Sequence, residues 1–178
     1  MRQIEFPAWS NLRGLLRVGK RRRARLVEAF MNIEEVCSRV VVVGLPATSV
    51  HEGARLLREH HVGALVVIDS RDRSRPEGIV TDRDMVVGVL AMGVDPDKLT
   101  VADIMTRDIV TVQAEDDVFE TIRMMHGKGV RRVVVVDPEG ALVGIVSLDD
   151  LLELVAGGLA GLSGAISGAR SREEEIRR

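Results

Sequence analysis

At 178 residues, with 46 % hydrophobic side chains and a formal net charge of −2, the chain suits one domain or two small ones with an ordinary apolar core. Its one cysteine, Cys37, excludes an internal disulfide and suits a reducing, cytoplasmic compartment. Aromatics at 2 %, with no tyrosine, leave Val, Leu, Ile, Met and Ala to build the core, as in a Val-rich sheet covered by helices.

Residues 1–32 form a basic extension, with eight basic side chains against two acidic ones, whereas the remainder carries 17 against 25. The run KRRRAR at 20–25 concentrates that charge. Three readings stand for this extension: an arm that touches nucleic acid or anionic lipid, a helix packed on the following domain, or a segment that precedes a translation start at Met31. It lacks the unbroken apolar core and small-residue cleavage site of a secretory signal.

From Ile33 the chain repeats itself. With an offset of 68 residues, 33–69 lies on 101–137 without a gap, and nine positions are identical, among them Arg39, Glu52, Arg55 and Asp69. After Asp69 the first copy has two extra turn residues, and the offset becomes 66 from Gly78 and Gly144 to Asp84 and Asp150. A gapless match followed by a change of loop length is what duplication and loop drift leave behind.

Each copy reads as β-α-β-β-α. An apolar run (40–43; 109–112) leads to a helix opened by Ser49 or Asp117 (49–60; 117–128), with apolar residues at helical spacing. A buried strand follows (64–68; 133–136), then a turn rich in Asp, Pro and Gly, then a strand that opens on Gly78 or Gly144. Gly127-Lys128-Gly129 fits a helix C-terminus, not a phosphate loop. A helix (82–90; 148–155) closes each copy. The expected division is therefore a first repeat at 33–90, a connector at 91–100, a second repeat at 101–156, and a tail at 157–178 that is Gly-rich, then charged. Residues 151–169 carry a single charge, Glu153, at the lower edge of transmembrane length. Five glycines weaken that reading, so no membrane span is expected; a small-residue surface for self-association and a loosely ordered tail both remain.

The chemistry concentrates in GIVTDRD at 78–84 and GIVSLDD at 144–150. Thr81 and Ser147 suit helix N-caps, with Asp84 and Asp150 three positions on returning a hydrogen bond to the cap. A short carboxylate beside a hydroxyl also suits a ribose diol, with free amides nearby for a phosphate; the residues alone leave cap and ligand equally open. Arg131 and Arg132 stand before the central strand of the second copy, where their guanidinium forks suit phosphate or an exposed ion pair. Gly63 and Ala64 replace them in the first copy, so the two sites are chemically unequal. Cys37 reads as a small buried apolar residue. His51, His60, His61 and His126 form no metal spacing with it, and no catalytic set is present.

These residues resemble the cystathionine β-synthase (CBS) domain pair, or Bateman module. The resemblance spans 33 to about 155 and rests on the paired GIVTDRD and GIVSLDD, on DIMTRDIVTV with VCSRVVVVGL as its weaker counterpart, and on GVRRVVVVD. It implies an α/β fold in which two β-α-β-β-α repeats form an intramolecular pseudo-twofold dimer with two clefts, and it implies dimerisation of the chain. It further implies an adenine nucleotide (AMP, ADP or ATP) as regulatory ligand; no required cofactor and, from the histidine and cysteine spacing, no metal are expected. By the same resemblance Thr81, Asp84, Ser147 and Asp150 would hold ribose, Arg131 and Arg132 the phosphates, and Val41, Val42, Ile109 and Val110 would wall the adenine. The expected function is a non-enzymatic nucleotide sensor that acts on an unidentified protein partner. A ligand-free dimerisation scaffold is the alternative, and nucleic-acid binding through 20–25 a lesser one.

Overall fold

The computed structural model describes residues 4–5 and 32–176; the basic run at 20–25 lies outside them. The elements are β1 (Ile4–Glu5), a 3-10 turn (Ile33–Glu35), β2 (Val40–Val41), β3 (Val43–Gly44), α1 (Val50–His60), β4 (Ala64–Ile68), β5 (Pro76–Thr81) and α2 (Asp82–Met85), which continues as a π-helical turn (Val86–Leu90). The second half follows with α3 (Val101–Ile104), β6 (Thr111–Gln113), α4 (Val118–Lys128), β7 (Arg132–Val136), β8 (Leu142–Ser147) and α5 (Leu148–Ile176).

Each repeat builds a three-stranded sheet, β3-β4-β5 and β6-β7-β8, whose first pair is parallel and second antiparallel. The helices start where hydroxyl or carboxylate caps allow. Ser49 and Asp117 each accept the backbone N–H three residues on. Helix α4 ends on Gly129 at φ 66°, while α1 ends on His61 at φ 53°, a left-handed position filled by a side chain in the first copy and by glycine in the second.

Alternation along the central strands sorts the core into three clusters. Leu65 and Val67 of β4 face the helices of repeat 1 with Leu56, Leu57, Val80 and Met85. Val133 and Val135 of β7 do the same in repeat 2 with Val118, Met125 and Leu151. The intervening Val66, Ile68, Val134 and Val136 meet each other, together with Val41, Val43 and Leu142, in a cluster shared by both repeats. Burying each such side chain contributes about 1.5–3 kcal/mol, so the shared cluster fastens the two sheets face to face as a pseudo-twofold pair.

The two repeats also exchange their leading turns. Ile33 is fully buried in the core of repeat 2, its amide donating to Asp116 O at 3.0 Å, and Ser38 pairs with Ile145 in both directions at 2.9 and 3.0 Å. Val101 and Met105 occupy the equivalent place in repeat 1, where Thr106 pairs with Ile79 at 2.9 and 3.0 Å. The glycines that open the paired GIV motifs lie under these crossings. A Cβ on Gly144 would stand 2.8 Å from Ser38 O, and one on Gly78 would strike the Met105 side chain.

Three expected boundaries move. The strand at 40–43 is divided, because Val40–Val41 pairs with β1 whereas Val43–Gly44 pairs with β4. The strand expected at 109–112 forms at Thr111–Gln113. The helix expected to close repeat 2 at 155 and give way to a loose tail runs on to Ile176 instead. No proline interrupts it, and none of Gly157, Gly158, Gly161 or Gly164 adopts a positive φ, so its glycines weaken the helix without ending it.

Turn carboxylates give the stability an acid limit. Backbone amides of Asp72 and Arg71 hold Asp69 below its ordinary 3.8, and the Ser74 hydroxyl and amide do the same for Asp72. A carboxyl lowered in the folded state stabilises above its unfolded value and loses that contribution as pH falls through the folded one. The thermal midpoint is therefore expected to be flat between about pH 7 and 5 and to drop below about pH 4. Calorimetry across that range checks this, and a midpoint that rose on acidification would contradict it.

Candidate functional site

The end of each inter-sheet face is built by strand register. In β7/β8 the backbone partner of Arg132 is Ser147, and Leu148 N donates to Arg131 O at 2.9 Å. In β4/β5 the partner of Thr81 is Ala64, and Asp82 N donates to Gly63 O at 3.3 Å. Residues that stand opposite across a ladder share a face, so the positions of Arg132 and Ser147 lie on one face of the second sheet, and an apolar residue, Ala64, holds the arginine's position in the first.

Both hydroxyl–carboxylate pairs form the same box. Ser147 Oγ and Ser147 N donate to Asp150 Oδ2 at 2.6 and 2.8 Å, and Asp150 N donates back to Ser147 Oγ at 3.2 Å. Thr81 and Asp84 match these at 2.7, 2.8 and 3.2 Å. In each box a single oxygen, Oδ2, takes both bonds, which leaves Oδ1 for another donor such as a ribose hydroxyl. A third box calibrates this. Thr100 N and Oγ1 donate to Asp103 Oδ2 at 2.8 and 2.7 Å at the start of α3, where the nearby Arg107 donates to Ala102 O at 3.2 Å and belongs to no strand paired with the cap. The box by itself makes a cap; only its neighbours distinguish a site.

Those neighbours are cationic in the second repeat. Arg131 is exposed and Arg132 half-buried, and among the described residues neither has an ion-pair partner, so the exposed ion pair weighed from the sequence does not form there. The Arg132 guanidinium reaches across to repeat 1. Its Nη2 would stand 2.7 Å from a Cβ on Gly63, with Asp82 Oδ2 3.5 Å from the same point. The absence of a side chain at Gly63 is thus what admits Arg132, and one cation lies against both halves.

The four residues expected to wall the adenine lie in or against the core clusters. Val42 is 5 % exposed within the core of repeat 1, and Val41 is 2 % exposed within the shared cluster. Ile109 and Val110 are half-buried, packed on the shared cluster and on the core of repeat 2 respectively. Val42 O and Val110 O accept from Val66 N and Val134 N at 3.0 Å.

The leading turns were missing from the sequence reading. Since Ser38 pairs with Ile145 in antiparallel sense, Val36 falls beside Ser147. A groove of about 470 Å³ opens there, lined by Glu35 and Val36 of the turn and by Asp150, Glu153, Leu154, Gly157 and Gly158 of α5. Three carboxylates rim this groove, so an anionic group fits the Arg131/Arg132 end and not this one. The signal was in the sequence, because a glycine inside a strand marks close approach of another backbone. Cys37 lies in the same turn; burial pushes its thiol up from its ordinary value, which suits packing better than nucleophilic chemistry.

Fold and site together define a class: a duplicated α/β ligand-binding module whose halves exchange their leading turns and carry matched hydroxyl–carboxylate boxes. The family model for the CBS domain matches residues 33–90 and 101–157, and the chain belongs to the CBS domain family as a tandem pair. An uncharacterised protein of Methanopyrus kandleri is 37 % identical over 124 residues, 70 % of this chain and 62 % of that protein. Among solved structures, the CBS domain protein PAE2072 of Pyrobaculum aerophilum, complexed with AMP, aligns with a TM-score of 0.64 at 28 % identity over 71 % of this chain and 99 % of that one. The CBS domain pair of protein MJ0100, in complex with 5′-methylthioadenosine and S-adenosyl-L-methionine, aligns with a TM-score of 0.65 at 26 % identity over 72 % and 98 %. Modules of this type are regulatory.

Proposed function

We propose that the protein is a cytoplasmic regulatory sensor, not an enzyme, that binds an adenine nucleotide at Ser147, Asp150, Arg131 and Arg132 and acts as a homodimer on a separate protein. The observation that carries this reading is the register pairing of Arg132 with Ser147, beside a carboxylate whose Oδ1 takes no part in the cap and two arginines that have no ion-pair partner among the described residues. Ribose at Asp150 directs phosphates toward the arginines and away from Glu35 and Glu153. The AMP complex of PAE2072 supports an adenosine ligand, and the MJ0100 complexes support the broader class of adenosine compounds. At Thr81 and Asp84 a second molecule would draw on Arg132, whose guanidinium lies against Gly63. Ligand changes output solely through unequal affinity for two arrangements of the halves. Homodimerisation is supported by exposed apolar side chains at equivalent places on the closing helices, Val86 and Leu152.

A scaffold without ligand is the second reading, and Thr100/Asp103 favours it, since there the same box serves as a cap alone. Thermal unfolding of the full chain with AMP, ADP, ATP and S-adenosyl-L-methionine separates the two. A ligand at a hundred times its dissociation constant adds about 2.7 kcal/mol, which for a chain of this size raises the midpoint by roughly 5–11 °C. No shift with any of them at millimolar concentration leaves the scaffold reading.

A further inference from the structure

Helix α5 extends far beyond the repeat that it closes, and its outer face carries a regular seam. Leu148, Leu152, Val155, Leu159, Leu162 and Ile166 follow one another at intervals of four, three, four, three and four residues. Val155 is half-buried, and the other five are 43–65 % exposed. Leu151 and Leu154 point elsewhere, into and against the core of repeat 2, so the seam is not the face by which α5 packs on its own domain. A strict 3.5-residue repeat has a specific use: it keeps one apolar line in register with a second helix as the two supercoil.

The flanks of the seam say what that second helix is. Ala156, Gly158, Ser163 and Ala165 border it, all small and uncharged, which lets another backbone approach closely. Charge lies at the two ends only: Asp149, Asp150 and Glu153 at the start, Arg170 and Arg172 before the closing glutamates. Two copies laid antiparallel, with Leu159 opposite Leu162 of the partner subunit, bring the position of Asp149 beside that of Arg170 of the partner subunit. Laid parallel, the seam would stack Glu173 on its own copy. By length and composition Leu148–Ser167 also qualifies as a membrane-crossing helix. Its uncharged part, 154–169, has 16 residues, or about 24 Å at 1.5 Å per residue, short of the roughly 30 Å hydrocarbon layer.

We infer that α5 is an antiparallel helix-pairing arm that joins two copies of this chain. The inference rests on the homodimer part of the preceding reading and gives it a surface; it is independent of the nucleotide. In a Cys37→Ser background, full-length chains carrying Leu159→Cys and Leu162→Cys are mixed and oxidised at micromolar concentration. The expected product is the mixed 159–162 disulfide, at least ten-fold over either like pair, because a bridge needs Cα atoms within about 7 Å. Ile166→Glu in both chains should abolish it. Like pairs alone, or no link, would overturn the arm. Light scattering separates the two levels: a dimer that gives no 159–162 link keeps the homodimer and loses the arm, and a monomer loses both. Flotation with phosphatidylcholine vesicles that Leu159→Glu with Leu162→Glu abolishes would also overturn it.

Discussion

Gly144→Ala is expected to lower the thermal midpoint of the protein by about 2–12 °C. The added methyl would sit 2.8 Å from the backbone oxygen of Ser38 and 3.2 Å from Cys37 Sγ. Ser38 is held on both sides by Ile145, so its carbonyl cannot swing away without breaking the bridge between the leading turn and β8. Overpacking a tight contact costs about 1–3 kcal/mol, and each kcal/mol is worth about 2–4 °C for a chain of this length. Gly78→Ala should cost less. There the first obstacle is the flexible Met105 side chain, and the nearest backbone atom, Thr106 O, stands at 3.2 Å. Differential scanning calorimetry of the two variants gives the ranking directly; a neutral Gly144→Ala, or the reverse order, would show that the leading turn does not bear on β8 as described.

Asp150→Ala and Asp103→Ala should look alike without ligand and unlike with it. Both remove a carboxylate that accepts from the cap's amide and hydroxyl, at a cost of about 1 kcal/mol for a lost helix cap. Asp103 stands at the start of α3, with Arg107 close by but on no strand paired with its cap, whereas Asp150 stands beside Ser147 and the strand that carries Arg132. With saturating nucleotide, the wild type and Asp103→Ala should each gain roughly 5–11 °C, and Asp150→Ala should gain almost none. If Asp150→Ala keeps the full shift, the box at Ser147 is only a cap. Arg132→Gln then tests the other end: it should weaken ATP and AMP binding while leaving adenosine nearly untouched, since a nucleoside has no phosphate for the guanidinium to hold.

What could be read from the residues was mostly local. The caps at Ser49, Asp117, Thr81 and Ser147, the Gly129 helix end, and the alternating Val-rich strands β4 and β7 follow from spacing within one copy. The duplication then placed the two hydroxyl–carboxylate boxes at equivalent points. Long-range features escaped. Nothing near Ile33 announces that it completes the other repeat's core, because that contact joins residues more than eighty apart. Arg132 looked like part of a pair facing one cleft, yet its guanidinium passes over Gly63 of the first copy. Val41 and Val42 are packed into different core clusters, which their adjacency in sequence did not show, since the strand broken at Val42 turns successive side chains to opposite faces. The length of α5 was hidden by its glycines, which lower helix propensity but impose no break when their φ stays negative.

The exchange of leading turns carries a consequence for origin. A half-chain that ended within the connector would hold Ile33 and Ser38 with no second repeat to receive them, and its own helical core would lack Val101 and Met105. Two identical half-chains placed side by side would remedy both defects at once, each lending its leading turn to the other. The present molecule therefore has the form of a swapped dimer made permanent by gene fusion. Once the halves were covalently joined their sequences were free to diverge, so that one copy kept Arg131 and Arg132 while the other kept Gly63 as the space through which Arg132 passes.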